Sequence, residues 1–143
     1  MAFMLSQTAE YALRAMVCIA GRESATPVRA VDIGNNANVP PAYLSKILSR
    51  LVHAGLLKST KGHHGGFWLA RPTDSIHLYE IFEAVEVELD PNRCAFGMGK
   101  CNHLSPCPVH PLYLELREAL QHWAKTHTLA EVGPSQNCPR ISA

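Results

Sequence analysis

The sequence predicts a mainly α fold with one small β-hairpin wing: a winged helix-turn-helix domain followed by a long dimerisation helix. Three observations carry this expectation. Apolar residues recur at the i, i+3, i+4, i+7 spacing of one-sided helices in several separate segments. Two strand-like runs, "LLKST" and "FWLAR", flank a glycine-rich basic tip, "KGHHGG". From Ile33 to Thr73 the chain runs 41 residues without an Asp or Glu.

The first helix is expected in "SQTAEYALRAMVCIAG", where Ala9, Ala12, Leu13, Met16, Val17 and Ala20 share one stripe and Gly21 supplies a stop. Glu10 and Arg14 lie off that stripe. "TPVRAVDIGNNANV" reads as a short helix that breaks up at Gly34-Asn35-Asn36, since Gly and Asn accept the left-handed backbone of a turn. "PPAYLSKILSRLVHAG" is a third helix, with Pro41 in the first turn and Gly55 at the end. Leu44, Ile47, Leu48 and Leu51 form its inner stripe, leaving Tyr43, Ser45, Lys46, Ser49 and Arg50 on the outer face.

Two helices joined by a turn and followed directly by a basic hairpin describe a winged helix. The recognition helix would enter a DNA major groove through Tyr43, Ser45, Lys46, Ser49 and Arg50. Lys61, His63 and His64, at the hairpin tip, would reach the neighbouring backbone or minor groove.

"DSIHLYEIFEAVE" is a further helix with Ile76, Tyr79, Ile81, Phe82 and Val85 inward. "HPLYLELREALQHWAKT" is a long amphipathic helix whose Leu112, Leu116, Ala119, Leu120 and Trp123 make a ridge suited to a twin subunit. The expected organisation is a winged helix-turn-helix domain at 1–90, a cysteine-rich loop at 91–110, the dimerisation helix at 111–132 and a loosely held tail at 133–143.

Composition narrows the function. Hydrophobic residues make up 47% of the 143, enough for a core, and no apolar run is long enough to span a membrane. No basic stretch followed by an apolar run opens the chain, so a cytoplasmic address is expected. The net charge of +1 conceals an asymmetry. The acid-free block holds Lys46, Arg50, Lys58, Lys61 and Arg71, whereas Asp74, Glu80, Glu83, Glu86, Glu88 and Asp90 follow it. A surface that faces phosphates needs cations without competing carboxylates. No nucleophile–base constellation and no phosphate-cradling loop between a strand and a helix is present, so an enzyme is not expected.

The segment "CAFGMGKCNHLSPCPVH" holds three of the five cysteines, spaced Cys94-x6-Cys101-x5-Cys107-x2-His110. In a reducing compartment such a cluster points to metal rather than disulfide. The spacing lacks the tight cysteine pair of a zinc knuckle and suits ligands wrapped around a larger iron–sulfur cluster. Zinc on Cys94, Cys101, Cys107 and His110 remains chemically sound, so spacing alone leaves both open. Cys18, amid apolar residues, reads as a core residue, and Cys138 as a bystander in the tail.

Together "AEYALRAM", "YLSKILSRLVHAGLL", "KGHHGGFWLAR", "LYEIFEAVE" and the three-cysteine loop resemble the IscR/NsrR-type family of bacterial winged-helix iron–sulfur transcriptional regulators. The resemblance runs from about Leu5 to Val132. It implies a nucleoid-associated homodimer on a pseudo-palindromic operator in double-stranded DNA, acting as a repressor under redox, nitric oxide or iron control. It further implies that Cys94, Cys101 and Cys107 hold an iron–sulfur cluster. The fourth ligand differs between branches: an acid in the partner's first helix, which Glu10 resembles, or a histidine after the third cysteine, which His110 resembles. Glu10 goes with [4Fe–4S] and is the preferred reading; His110 goes with [2Fe–2S]. A winged-helix regulator with structural zinc, and a small iron–sulfur redox carrier that ignores DNA, are the alternatives.

Overall fold

The computed structural model describes residues 5–22, 26–85, 104 and 107–132. Helix α1 (Gln7–Ala20) begins at Ser6, whose Oγ accepts the Ala9 N–H at 3.1 Å and so satisfies one of the unpaired amides of the first turn. It ends at Gly21, whose N–H returns to the Val17 carbonyl. α1 is more deeply enclosed than a one-sided stripe requires. Tyr11, Ala15, Cys18 and Ile19 are buried along with Ala9, Ala12 and Met16, while Leu13, Val17 and Ala20 of the expected stripe are half-buried, because α2, α3, α4, α6 and β2 all pack around the helix.

Val28 then makes a one-residue antiparallel bridge with Phe67, each N–H donating to the other's carbonyl at 2.9 Å. Helix α2 (Ala30–Ala37) runs straight through Gly34-Asn35-Asn36, where a break was expected, and stops only at Asn38, which takes the left-handed conformation at φ 52°. Gly34 is needed for contact instead: a Cβ there would meet Leu44 Cδ2 at 3.2 Å and the Val39 carbonyl oxygen at 3.3 Å. Its missing side chain lets α3 approach α2 closely.

Helix α3 (Pro41–His53) buries Leu44, Ile47, Leu48 and Leu51, as its periodicity predicts. It closes in a Schellman motif. Gly55, at φ 78°, donates to the Val52 carbonyl at 3.0 Å, and Leu56 donates to the Leu51 carbonyl at 3.0 Å. Leu56 and Leu51 are both buried. The motif reverses the chain directly into the hairpin of β1 (Leu57–Thr60) and β2 (Gly66–Leu69), paired antiparallel with Lys58 opposite Trp68 and Thr60 opposite Gly66.

A single 3₁₀ turn (Thr73–Ser75) leads to α4 (Leu78–Val85), which buries Leu78, Ile81, Phe82 and Val85 against α1 and α3. The long helix α5 (His110–Thr126) covers the segment whose periodicity predicts it, but buries only Ala124. After α5 the chain turns at His127 and Thr128 into the short α6 (Leu129–Val132). The Leu78 N–H donates to the His127 carbonyl at 3.0 Å and the Leu129 N–H to the Ile76 carbonyl at 2.8 Å. Leu129 is thereby fully buried, which fastens the end of α5 to the winged-helix core. Among the described residues no helix is long and apolar enough to cross a membrane.

Candidate nucleic-acid interface and cysteine segment

Burial of the Leu44, Ile47, Leu48 and Leu51 stripe turns the opposite face of α3 outward. Tyr43, Ser45, Lys46, Ser49 and Arg50 are all exposed on it. The Tyr43 ring lies 5.9 Å from that of buried Tyr11, tilted by 56°, so α1 orients the start of this face. α3 therefore offers hydroxyls, a phenol and cations on one side, the chemistry that reads base edges and phosphates.

The hairpin extends the same character. Lys58, Lys61, His63 and His64 are exposed. The tip folds back through the Gly65 N–H to the Gly62 carbonyl at 3.0 Å. A Cβ on Gly65 would lie 2.4 Å from the Thr60 carbonyl oxygen, so this turn closes only around glycine.

Two arginines of the acid-free block are engaged within the fold. Arg71 Nη2 donates to both Glu80 carboxylate oxygens, at 2.9 and 2.8 Å, and to the Ser75 carbonyl at 2.7 Å. Those Arg71 bonds hold the Glu80 carboxyl below the ordinary carboxylate range; partial burial opposes this, and the His77 N–H reinforces it. Arg50 Nη1 donates to the Val85 carbonyl at 2.6 Å, so this cation of α3 is bonded to the main chain of α4. The spacing of basic residues along the sequence carries no sign of either bond.

Of the candidate metal ligands, Cys94 and Cys101 lie outside the described residues, as does Cys138. Cys107 is exposed and unpaired with any cysteine, and its carbonyl accepts the His110 N–H at 3.0 Å in the turn that opens α5. His110 is the half-buried first residue of that helix. Glu10 sits in the first turn of α1 with Oε2 at 3.9 Å from Arg14 Nη2, a loose ion pair rather than a hydrogen bond. The Arg14 guanidinium in turn lies over the Tyr11 ring at 5.6 Å. Among the described residues no three of His, Cys, Asp and Glu gather as a ligand set. Chemically, three thiolates with a carboxylate or an imidazole suit an iron–sulfur cluster.

Directly after Cys107, α5 presents an apolar ridge to solvent. Leu112 is 68% exposed, Leu116 47% and Trp123 42%. These are the stripe residues that the sequence reading assigns to a twin subunit.

A helix pair, a basic hairpin and an outward polar face on the second helix define a winged-helix DNA-binding regulator. Comparison with known proteins agrees. The model of the Rrf2 family, described as iron-dependent transcriptional regulators, matches residues 5–134. The HTH-type transcriptional regulator IscR of Escherichia coli O1:K1 is 32% identical over 138 residues, covering 96% of this chain and 85% of that protein. Among solved structures, CymR, the global cysteine regulator of B. subtilis, superposes with a TM-score of 0.72 at 24% identity, over 92% of this chain and 96% of that one. IscR of T. potens superposes with a TM-score of 0.70 at 23% identity, over 90% and 84%. The chain belongs to the Rrf2 family of transcriptional regulators, and its class is not enzymatic.

Proposed function

We propose that the protein is a homodimeric repressor whose affinity for a pseudo-palindromic operator is governed by an iron–sulfur cluster. The observation that carries the DNA-binding half of this reading is the exposure of Tyr43, Ser45, Lys46 and Ser49 on α3 and of Lys61, His63 and His64 on the wing, all drawn from a stretch of 41 residues without an acid. The dimer is supported by the Leu112, Leu116 and Trp123 ridge, since exposed leucines in register along one helix are stabilised by burial against a second copy.

Cys94, Cys101 and Cys107 hold the cluster, with the partner subunit's Glu10 as fourth ligand and [4Fe–4S] as the cluster type. When bound, the cluster supplies a centre that oxidants, nitric oxide or iron shortage can alter. Cys107 stands at the start of the dimer helix and Glu10 on the helix that orients Tyr43 through Tyr11. Ligation at both places ties the spacing of two recognition helices to the state of the thiolates. Half-sites about 34 Å apart make operator binding sensitive to that spacing.

The turn joining the Cys107 carbonyl to the His110 N–H favours a second reading, in which His110 completes the site on [2Fe–2S] or on zinc. Anaerobic purification with visible spectra and iron, sulfide and zinc assays separates the three. Gel shifts with and without the cluster then test control. Coloured protein whose operator affinity changes on cluster removal, together with a colourless but folded Cys107→Ala variant, is the expected result. Colourless, zinc-loaded protein that binds DNA equally well with and without zinc overturns the sensing account.

A further inference from the structure

Helix α4 lies between the wing and the cysteine segment in the chain, and two arginines, Arg71 from just after the wing and Arg50 from α3, are bonded to it. At its first turn Arg71, two residues past β2, grips Glu80 and the Ser75 carbonyl. Arg50, from α3, donates to the Val85 carbonyl at 2.6 Å. A bond from a charged guanidinium to a main-chain carbonyl is stronger than a neutral one, so it fixes α3 against this point of α4. Arg50 also lines a groove of about 590 Å³ between α3 and α4, together with Ser49, His53, Glu80 and Glu83. Glu83 on that groove disfavours a DNA phosphate beside Arg50, and Glu80 is already bonded to Arg71.

We propose that Arg50 is a positioning residue. It sets the recognition helix against α4 and relays the state of the cysteine segment to α3, instead of contacting the operator backbone. Cys94 follows Val85 by nine residues, so α4 is the element that leads into the cysteine segment. The inference rests on the cluster-dependent DNA binding proposed above.

Salt dependence distinguishes a phosphate contact from a positioning contact, because only the former releases counterions. The experiment uses full-length protein, handled without oxygen, in cluster-loaded and cluster-free forms. A duplex selected for tight binding from a random pool is titrated at several salt concentrations with wild type, Arg50→Ala, Arg50→Lys and Lys46→Ala.

Arg50→Ala should weaken binding while keeping the wild-type slope of log affinity against log salt. The ratio of loaded to cluster-free affinity should fall from the roughly 5–150-fold of ordinary allosteric coupling to within about twofold. Arg50→Lys, which keeps a donor for the Val85 carbonyl, should restore part of that ratio. Lys46→Ala should lose about 0.9 of the slope and keep the ratio. A slope loss in Arg50→Ala like that of Lys46→Ala makes Arg50 a phosphate contact and overturns the inference. An unchanged ratio in Arg50→Ala makes its role structural only and also overturns it. A wild-type ratio of one instead removes cluster control itself, and this inference falls with it.

Discussion

Arg71 and Glu80 form a two-pronged ion pair, with one guanidinium nitrogen 2.9 and 2.8 Å from the two carboxylate oxygens. The pair fastens the end of the wing to the first turn of α4. The Glu80 carboxylate also accepts the His77 N–H at 2.9 Å, just ahead of α4, so one side chain both caps a helix and anchors the hairpin. Because the folded-state carboxyl titrates below its unfolded value, the pair contributes stability above the ordinary carboxylate range. That contribution is lost as pH falls through the folded value. The side chains are 38% and 34% exposed, so solvent screening reduces the contribution from the roughly 1.5–3 kcal/mol of a charge-assisted bond to about 1 kcal/mol. Glu80→Gln should lower stability by about that amount at pH 7, with the gap to wild type closing below about pH 4. Urea titrations across pH check this; a gap that persists in acid would contradict it.

Gly66 predicts a larger effect. A Cβ there would lie 2.6 Å from the Val28 carbonyl oxygen and 2.7 Å from its carbon. These are backbone atoms within the Val28–Phe67 bridge, so they cannot swing aside as a flexible side chain can. Gly66→Ala should destabilise the fold by roughly 1–3 kcal/mol, the usual cost of overpacking. Denaturant midpoints measure the loss. Amide exchange at Val28 and Phe67 should rise more than at Leu48, a buried residue of α3 outside the bridge; equal protection in the variant would show that the bridge accommodates the methyl group.

How much of this was readable beforehand depends on whether a residue's role repeats. The α3 stripe was legible because Leu44, Ile47, Leu48 and Leu51 recur with the helical period, and their burial determines which residues face out. α5 was legible over His110–Thr126 for the same reason. The Val28 bridge was not, since one residue has no period, and Gly34 was misread as a helix breaker because its packing against Leu44 is a tertiary contact. On α1 only Ala9, Ala12 and Met16 of the expected stripe are fully buried, and Tyr11, Ala15, Cys18 and Ile19 join them because five elements surround the helix. Arg50 and Arg71 counted as part of a basic block in the sequence, where nothing signals that they bond to Val85 and Glu80. In the cysteine segment the donor chemistry is legible from composition, while Cys94 and Cys101 lie outside the described residues.

Lys46 provides the direct check on the DNA-facing surface. It is exposed at the centre of the outer face of α3, flanked by Ser45 and Ser49. A lysine that neutralises one phosphate contributes about 0.9 to the salt slope and acts on all sequences alike. Lys46→Ala should therefore weaken binding to specific and random duplexes by a similar factor and flatten the slope by about that amount. Fluorescence anisotropy over a salt series measures both. Loss confined to one base position would instead make Lys46 a base reader.

The ridge on α5 predicts assembly. Leu112 and Leu116 are one helical turn apart and are 68% and 47% exposed, and neither contributes to the buried core. Replacing Leu116 with Asp should therefore leave the monomer fold intact, with an unchanged circular dichroism spectrum. Burying a leucine is worth about 1.5–3 kcal/mol, and a twofold interface counts each substitution twice. The dimer should weaken by roughly 10²–10⁴-fold, before any added cost of burying a carboxylate. Sedimentation equilibrium should then show monomers at concentrations where wild type is dimeric. Operator binding should fall with it, because a single subunit engages one half-site and loses the gain from simultaneous contact with the second. A Leu116→Asp protein that stays dimeric would place the subunit interface on another surface, and one that unfolds would show that the ridge caps its own core.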